Sequence, residues 1–321
     1  MSKNDLLVVA DLVIAFSTPE GEITVVEDVN FEIKEGEVLG LVGESGSGKS
    51  VTAMSLISLL PSPPSKRMSG SIQLGAKVLT ELSEVELRKV RGGEVGFIFQ
   101  EPMSSLNPVL TIGFQLTEAL ELHSVVNKKE AEGKALSMLQ LVGISDPELR
   151  MKQFAFELSG GMRQRVMIAM ALICSPRLLI ADEPTTALDV TIQAQILDLL
   201  RSLRERLGMS ILMITHDLGV IAESCDRVIV MYAGRIVESG FVSEVFAHPR
   251  HPYTKALLKS SPRTTGHQEY LPTIPGMVLP PNQRGQWCSF ADRCENVLSK
   301  CRSERPTLTK EPHAVECWNP Q

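Results

Sequence analysis

Gly43-Glu44-Ser45-Gly46-Ser47-Gly48-Lys49-Ser50, directly behind the apolar run Val38-Leu39-Gly40-Leu41-Val42, is the stretch from which the architecture of this chain can be read. It fits GxxxxGK[ST] at the point where a buried strand turns into a helix, the context that a phosphate-binding loop requires. Gly43, Gly46 and Gly48 let the backbone wrap so that its N–H groups face a pyrophosphate, and the helix opening at Lys49 adds its positive end. Lys49 then reaches the β- and γ-phosphates and Ser50 serves Mg²⁺. A plain glycine-rich turn is the bland alternative, and the preceding strand counts against it.

Outward from the loop, alternation of apolar and polar residues predicts two strands, Leu6 to Phe16 and Ile23 to Ile33, joined by a turn at Pro19-Glu20-Gly21. A helix from Lys49 to Leu60 is expected to stop at Pro61, Pro63 and Pro64. Further along come a short helix at Glu84 to Val90, a strand at Val95 to Phe99, and helices at Ile112 to Leu122 and Lys129 to Val142. Alternation of strand and helix resumes with Leu178 to Ala181, Thr191 to Leu207, Ile211 to Ile214, a short helix after His216, and a hairpin Val228 to Val237 turning at Ala233-Gly234. The expected class is α/β: a phosphate-loop NTPase with a doubly wound, mostly parallel sheet, an antiparallel β subdomain, a helical insert at about 101–165 and a small Cys-rich C-terminal extension.

With 321 residues, 43% hydrophobic and 22% charged, the chain has room for one large domain, 1–250, and an appendage, 251–321. A net charge of -6 without a basic stripe argues against a nucleic-acid partner. The longest strongly apolar stretch, Val166 to Cys174, has nine residues, against about 20 for a membrane-spanning helix. The start MSKNDLLVVADL lacks the longer apolar block of a secretion signal. Work on a membrane therefore calls for other subunits that span it.

Ligands of open α/β sheets gather at strand ends, and three ends here carry chemistry. Leu178 to Ala181 delivers Asp182, which can hold Mg²⁺ through water, and Glu183, which can orient and deprotonate an attacking water. Helix capping by Asp-Glu-Pro is the alternative for that pair. Gln100 ends another strand, where its amide can reach the same metal, and His216 ends a third, where an imidazole can touch a γ-phosphate.

GESGSGKS, Gln100, LSGGMRQR, LLIADEP, Ala187-Leu188-Asp189 and His216, in that order, resemble the ATPase subunit of an ABC transporter over about residues 5–250. The resemblance implies that two such domains dimerise head to tail, with Ser159-Gly160-Gly161 of one closing on ATP held by the other. It implies nucleotide contacts at Phe16, by stacking on adenine, and at Gly43, Ser45, Gly46, Gly48, Lys49, Ser50, Asp182, Ser159, Gly160, Gly161 and Asp189. Mg²⁺ falls to Ser50, Gln100 and Asp182, and the catalytic roles to Glu183, His216 and Gln100. For Phe16 a packed hairpin residue is an equal alternative.

HPRHPYTKALL beyond residue 247, the proline-broken linker through Leu279-Pro280-Pro281 and WCSFADRC resemble the ATP-binding subunits of bacterial oligopeptide and dipeptide permeases, in particular the first of their two paired ATPases. That implies a second ATPase as heterodimer partner, two transmembrane permease subunits, an extracytoplasmic solute-binding protein and a peripheral place on the cytoplasmic face of the inner membrane. Nickel chelates, oligosaccharides and other solutes remain alternative cargoes, and a soluble ABC ATPase of DNA repair or translation a more distant one. Phe154-Ala155-Phe156 departs from the Tyr-Pro-His usual before the signature, which puts the local membrane-subunit contact in question.

Cys174 and Cys225 read as small core residues. Cys288, Cys294, Cys301 and Cys317 are separated by five, six and fifteen residues, which matches neither common zinc sites nor common ferredoxin runs, so the spacing leaves the metal open. The permease resemblance implies a four-iron, four-sulfur cluster on these thiolates in a structural role, with Zn²⁺ as the alternative and His313 as a substitute ligand.

Overall fold

Strand alternation builds the start of the chain. In the computed structural model, which describes residues 4–100, 105–186, 188–261, 273–309 and 312–321, β1 (Asp5–Thr18) and β2 (Gly21–Lys34) pair antiparallel with Thr18 opposite Gly21. Leu7, Val9, Leu12 and Ile14 of β1 and Val26, Val29 and Ile33 of β2 are buried, the inward face of a half-covered sheet. The expected hairpin is thus present, with both strands longer than their apolar cores suggest.

β3 (Val38–Val42) is buried at every position, as a strand covered on both faces must be. The helix after it, α1 (Lys49–Leu56), is shorter than the expected run to Leu60. Ile57 caps it and Ser58 takes a left-handed φ of 52°, so the helix ends before the prolines are reached. β4 (Ser65–Leu74) and β5 (Lys77–Val78) complete an antiparallel sheet ordered β2-β1-β4-β5. Neither strand was expected. In Ser65–Leu74 only Ser65, Ile72 and Leu74 are buried, so the segment is recruited by pairing with β1 rather than by its own alternation.

The chain divides into two compact units, Met1–Thr80 with Met213–Gln321, and Glu81–Leu212. The second contains α2 (Glu84–Val90), β6 (Val95–Ile98), α3 (Ile112–His123), α4 (Lys128–Leu141), α5 (Gly160–Leu172), β7 (Leu178–Asp182) and α6 (Val190–Leu207). Capping boxes Ser83–Glu86 and Asn127–Glu130 start α2 and α4, and α3 and α4 lie within the expected helical insert. β6 and β7 are parallel, Val95 opposite Leu178 through Ile98 opposite Ala181. The chain returns to the first unit along β8 (Ser210–Thr215).

The first unit then resumes with α7 (Leu218–Ser224), β9 (Arg227–Tyr232), β10 (Arg235–Phe241), α8 (Val242–Ala247), α9 (Pro252–Ser260) and β11 (Ala314–Val315). β9 and β10 form the expected hairpin, with positive φ at both Ala233 and Gly234. Strands β11, β10, β9 and β3 lie side by side in that order, β9 parallel to β3 and the two later neighbours antiparallel. The fold class is the expected one, α/β with parallel and antiparallel strands.

The core of this unit joins Val42, Ile221, Val228, Val230, Tyr232, Tyr253 and Phe290. Each such side chain contributes about 1.5–3 kcal/mol by leaving water. The tail is also held by polar contacts: Arg235 donates to Glu316 at 3.0 Å, Arg305 to Glu27 at 2.6 Å, and His313 Nε2 lies 2.6 Å from Glu238 Oε1. Burial pushes the Glu316 carboxyl up to about 7, against the downward pull of Arg235. Among the described residues no helix is long and apolar enough to cross a membrane.

Candidate functional site

The loop after β3 begins at a glycine with no room for a side chain. A Cβ on Gly43 would stand 2.2 Å from the Met231 carbonyl oxygen and 2.8 Å from Ser47 Oγ, so only glycine fits between β3 and β9. Gly46 and Gly48 take φ values of 79° and 103°, which other residues adopt only under strain. Gly48 is the N-cap of α1 and supplies no side-chain hydrogen bond, so the positive end of the helix begins directly behind the loop. Ser45 and Gly46 are exposed on the outer rim.

Lys49 is 7% exposed and folds back over the cradle, its Nζ donating to the Gly43 carbonyl at 2.8 Å and to the Glu44 carbonyl at 3.1 Å. Ser50 follows on α1, half-buried. Ser47 Oγ is buried without a hydrogen-bond partner among the described residues. A buried hydroxyl in that state calls for an acceptor. A buried ammonium, a buried hydroxyl without a partner among the described residues and a helix N-terminus behind a glycine-rich turn together fit a polyphosphate.

Phe16 lies in β1, half-buried, opposite Ile23 of β2 and Ser65 of β4. His216 is exposed at the first position after β8. Both belong to the same unit as the loop.

In the second unit Asp182 ends β7 and is 5% exposed. Glu183 comes next with φ 48°, a left-handed conformation uncommon outside glycine and concentrated at functional turns. Its Oε2 accepts two hydrogen bonds, from Gln100 Nε2 at 3.1 Å and from Thr186 Oγ1 at 2.8 Å. Gln164, buried in α5, donates to the Pro184 carbonyl and so braces the same turn. Gln100 and Glu183, expected separately at two strand ends, are hydrogen-bonded to each other. Thr186 and Gln164 were not anticipated, although Thr186 stands three residues beyond Glu183, within reach of a tight turn.

Ser159 is the N-cap of α5, its hydroxyl accepting the Met162 N–H at 3.4 Å, and Gly160 and Gly161 form the first helical turn. A Cβ on Gly160 would meet nothing within 4 Å, so its backbone is open to approach. Asp189 is the N-cap of α6, its carboxylate accepting the Ile192 N–H at 2.9 Å. Ala187 beside it, residues 101–104 after Gln100 and residues 262–272 of the linker lie outside the described residues.

Of the cysteines, Cys174 is half-buried near the Ala119 carbonyl and Cys225 packs against the core of the first unit. In the extension Cys301 is buried, and Cys288, Cys294 and Cys317 are half-buried. Burial pushes the Cys288 thiol up to about 12, the three other thiols adding to the rise. Cys294 and Cys317 are raised for the same leading reason. Among the described residues no group of three or more His, Cys, Asp or Glu side chains is placed to hold a metal ion. The thiols are near enough to feel one another but do not form a ligand set for a single ion. His313, the expected substitute ligand, is instead engaged with Glu238.

Comparisons with known proteins agree on the family. Residues 26–186 match the model of the ABC transporter family, and residues 237–301 match the C-terminal region of oligopeptide/dipeptide transporters. The chain is 54% identical to the "Probable peptide ABC transporter ATP-binding protein y4tR" of Sinorhizobium fredii, over 98% of its own length and 96% of that protein. It is 51% identical to the oligopeptide transport ATP-binding protein AppD of Bacillus subtilis, over 98% and 96%. Among solved structures, the ATP-binding cassette MJ0796, described as dimeric and bound to ADP and Pi after hydrolysis, superimposes with a TM-score of 0.66 at 29% identity. That match covers 74% of this chain and 98% of the cassette.

Proposed function

Since the chain belongs to the ABC transporter family, we propose that it is the ATP-hydrolysing subunit of a bacterial importer of dipeptides or oligopeptides, working through separate membrane subunits. The observation that carries this reading is the glycine cradle of Gly43 to Gly48 with Lys49 folded over it. The peptide branch is supported by the relatives at about half identity over nearly the whole chain and by the match at residues 237–301.

In this reading Lys49 binds the β- and γ-phosphates and the loop N–H groups, with Ser45, line them. Phe16 stacks on adenine. Ser50, Gln100 and Asp182 would hold Mg²⁺, which when bound offsets the charge that builds on the phosphates. Glu183 takes the proton of the attacking water, oriented by the hydrogen bonds from Gln100 and Thr186. His216 contacts the γ-phosphate. Ser159-Gly160-Gly161, at the open N-terminus of α5, closes on nucleotide held by a paired ATPase, and Asp189 starts α6 at that junction.

The partners are then a second ATPase subunit, two permease subunits and an extracytoplasmic binding protein, with this chain at the cytoplasmic face of the membrane. For Cys288, Cys294, Cys301 and Cys317 a four-iron, four-sulfur cluster, with zinc as its alternative, is proposed on the permease resemblance alone, since the described side chains form no group placed to hold a metal ion; no step of the reaction runs through it. Brown, iron-containing protein after anaerobic purification is the expected result, and colourless protein without iron removes the cluster.

The test of the whole reading is to purify the transporter assembly in detergent with its binding protein and measure ATP hydrolysis against a solute panel. Peptides are expected to stimulate it. Stimulation by nickel chelates or oligosaccharides alone reassigns the cargo, and an assembly without ATPase activity overturns the reading.

A further inference from the structure

One side chain of the C-terminal extension reaches the phosphate-binding loop itself. Arg293 donates from Nη1 to Glu44 Oε2 at 2.7 Å and from Nη2 to Glu44 Oε1 at 3.0 Å, a two-pronged guanidinium–carboxylate pair. Glu44 is the second residue of the loop, and its backbone N–H is held as well, donating to the Tyr253 hydroxyl at 2.8 Å. The guanidinium is only 6% exposed. Its Nε donates to the Pro275 carbonyl at 2.8 Å, and its Cζ lies 5.8 and 5.9 Å from the centroids of the Tyr232 and Phe290 rings. Those rings pack with Tyr253 at centroid distances of 4.6 to 5.4 Å. Arg293 itself closes a 3-10 turn, Ala291–Arg293, bounded by Cys288 and Cys294.

Without its cation, the Glu44 carboxylate would stand uncompensated on a loop whose task is to gather phosphate charge. Glu44 also carries the carbonyl that Lys49 uses, so a shift of Glu44 is a shift of the lysine's support. We infer that Arg293 is a positioning residue for ATP binding: by neutralising and anchoring Glu44 it holds the phosphate loop in its binding shape, making the cysteine-bounded turn of the extension a support of the nucleotide site. The inference rests on the loop being the ATP site.

The test is a double-mutant cycle on the full chain, read as MgATP affinity by titration alongside thermal stability. Arg293→Ala is expected to weaken affinity about tenfold, the size of one charge-assisted contact, with Arg293→Lys in between. Glu44→Gln removes the charge that Arg293 neutralises, so adding it to Arg293→Ala should restore most of the lost affinity. A role confined to tethering the extension would lower stability without such rescue. Arg302→Ala breaks the exposed pair with Asp292 on the same turn and should leave affinity unchanged. Unaltered affinity in Arg293→Ala, or no rescue by Glu44→Gln, overturns the inference while Lys49→Ala still abolishes binding. Wild-type protein that binds no MgATP removes the ATP reading and the inference with it.

Discussion

Gln100 Nε2 donates to Glu183 Oε2 across 3.1 Å, tying the residue beyond the end of β6 to the residue that follows β7. The parallel register of the two strands, Ile98 opposite Ala181, is what puts those two ends at the same level. Glu183→Gln keeps the shape of the side chain and removes its basicity. Turnover is expected to fall by about a hundredfold or more while ATP still binds, measured by single-turnover hydrolysis beside a nucleotide titration. Wild-type turnover in that variant would take Glu183 out of the reaction.

Thr186 shares the same acceptor oxygen at 2.8 Å. Thr186→Val retains the branched shape and deletes the donor, which removes one hydrogen bond that orients Glu183. The rate constant at saturating ATP should drop several-fold, in line with about 1 kcal/mol for one hydrogen bond, with KM for ATP nearly unchanged. A change in KM alone would place Thr186 in binding instead.

Gly43→Ala drives a methyl into the Met231 carbonyl at 2.2 Å. Because the obstacle is backbone, the loop or β9 must move, at a cost of about 1–3 kcal/mol. Urea unfolding should show that loss together with weaker nucleotide binding. Gly160→Ala, where nothing lies within 4 Å, should leave the folded chain at least as stable.

His251 gives the protein an acid limit. The ring is the N-cap of α9, Nδ1 accepting the Tyr253 N–H at 3.0 Å, so it must be neutral to do so. Burial pushes its pKa from 6.5 down to about 3. A depressed folded value means that the stability is complete above pH 6.5 and is lost as pH falls toward 3, about 1.4 kcal/mol per unit. Unfolding midpoints at pH 7 and pH 5.5 should diverge more for the wild type than for His251→Asn, which can cap without titrating. Equal losses would assign the acid sensitivity elsewhere.

Local chemistry made much of this molecule legible. The β1–β2 hairpin follows from alternation, a helix was expected at Glu84 to Val90 where α2 lies, and the β9–β10 turn follows from Ala233-Gly234, each within a few residues of chain. The end of α1 was misread because the proline cluster masked an earlier stop at Ser58. β4 was missed because its polar residues carry no period and its order comes from β1.

Taken alone, the order of residues determined a glycine-cradled lysine behind a buried strand, the carboxylates at the end of β7 and the α/β class, because such features are written in contiguous stretches whose spacing is their physics. Only tertiary structure decided that Arg293 grips Glu44, that Arg235 meets Glu316 and that His313 serves Glu238 rather than the thiols. Each of those pairs joins segments far apart in the chain, and their attraction has no local period: it exists only once the apolar core around Tyr232, Tyr253 and Phe290 has brought the extension to the loop.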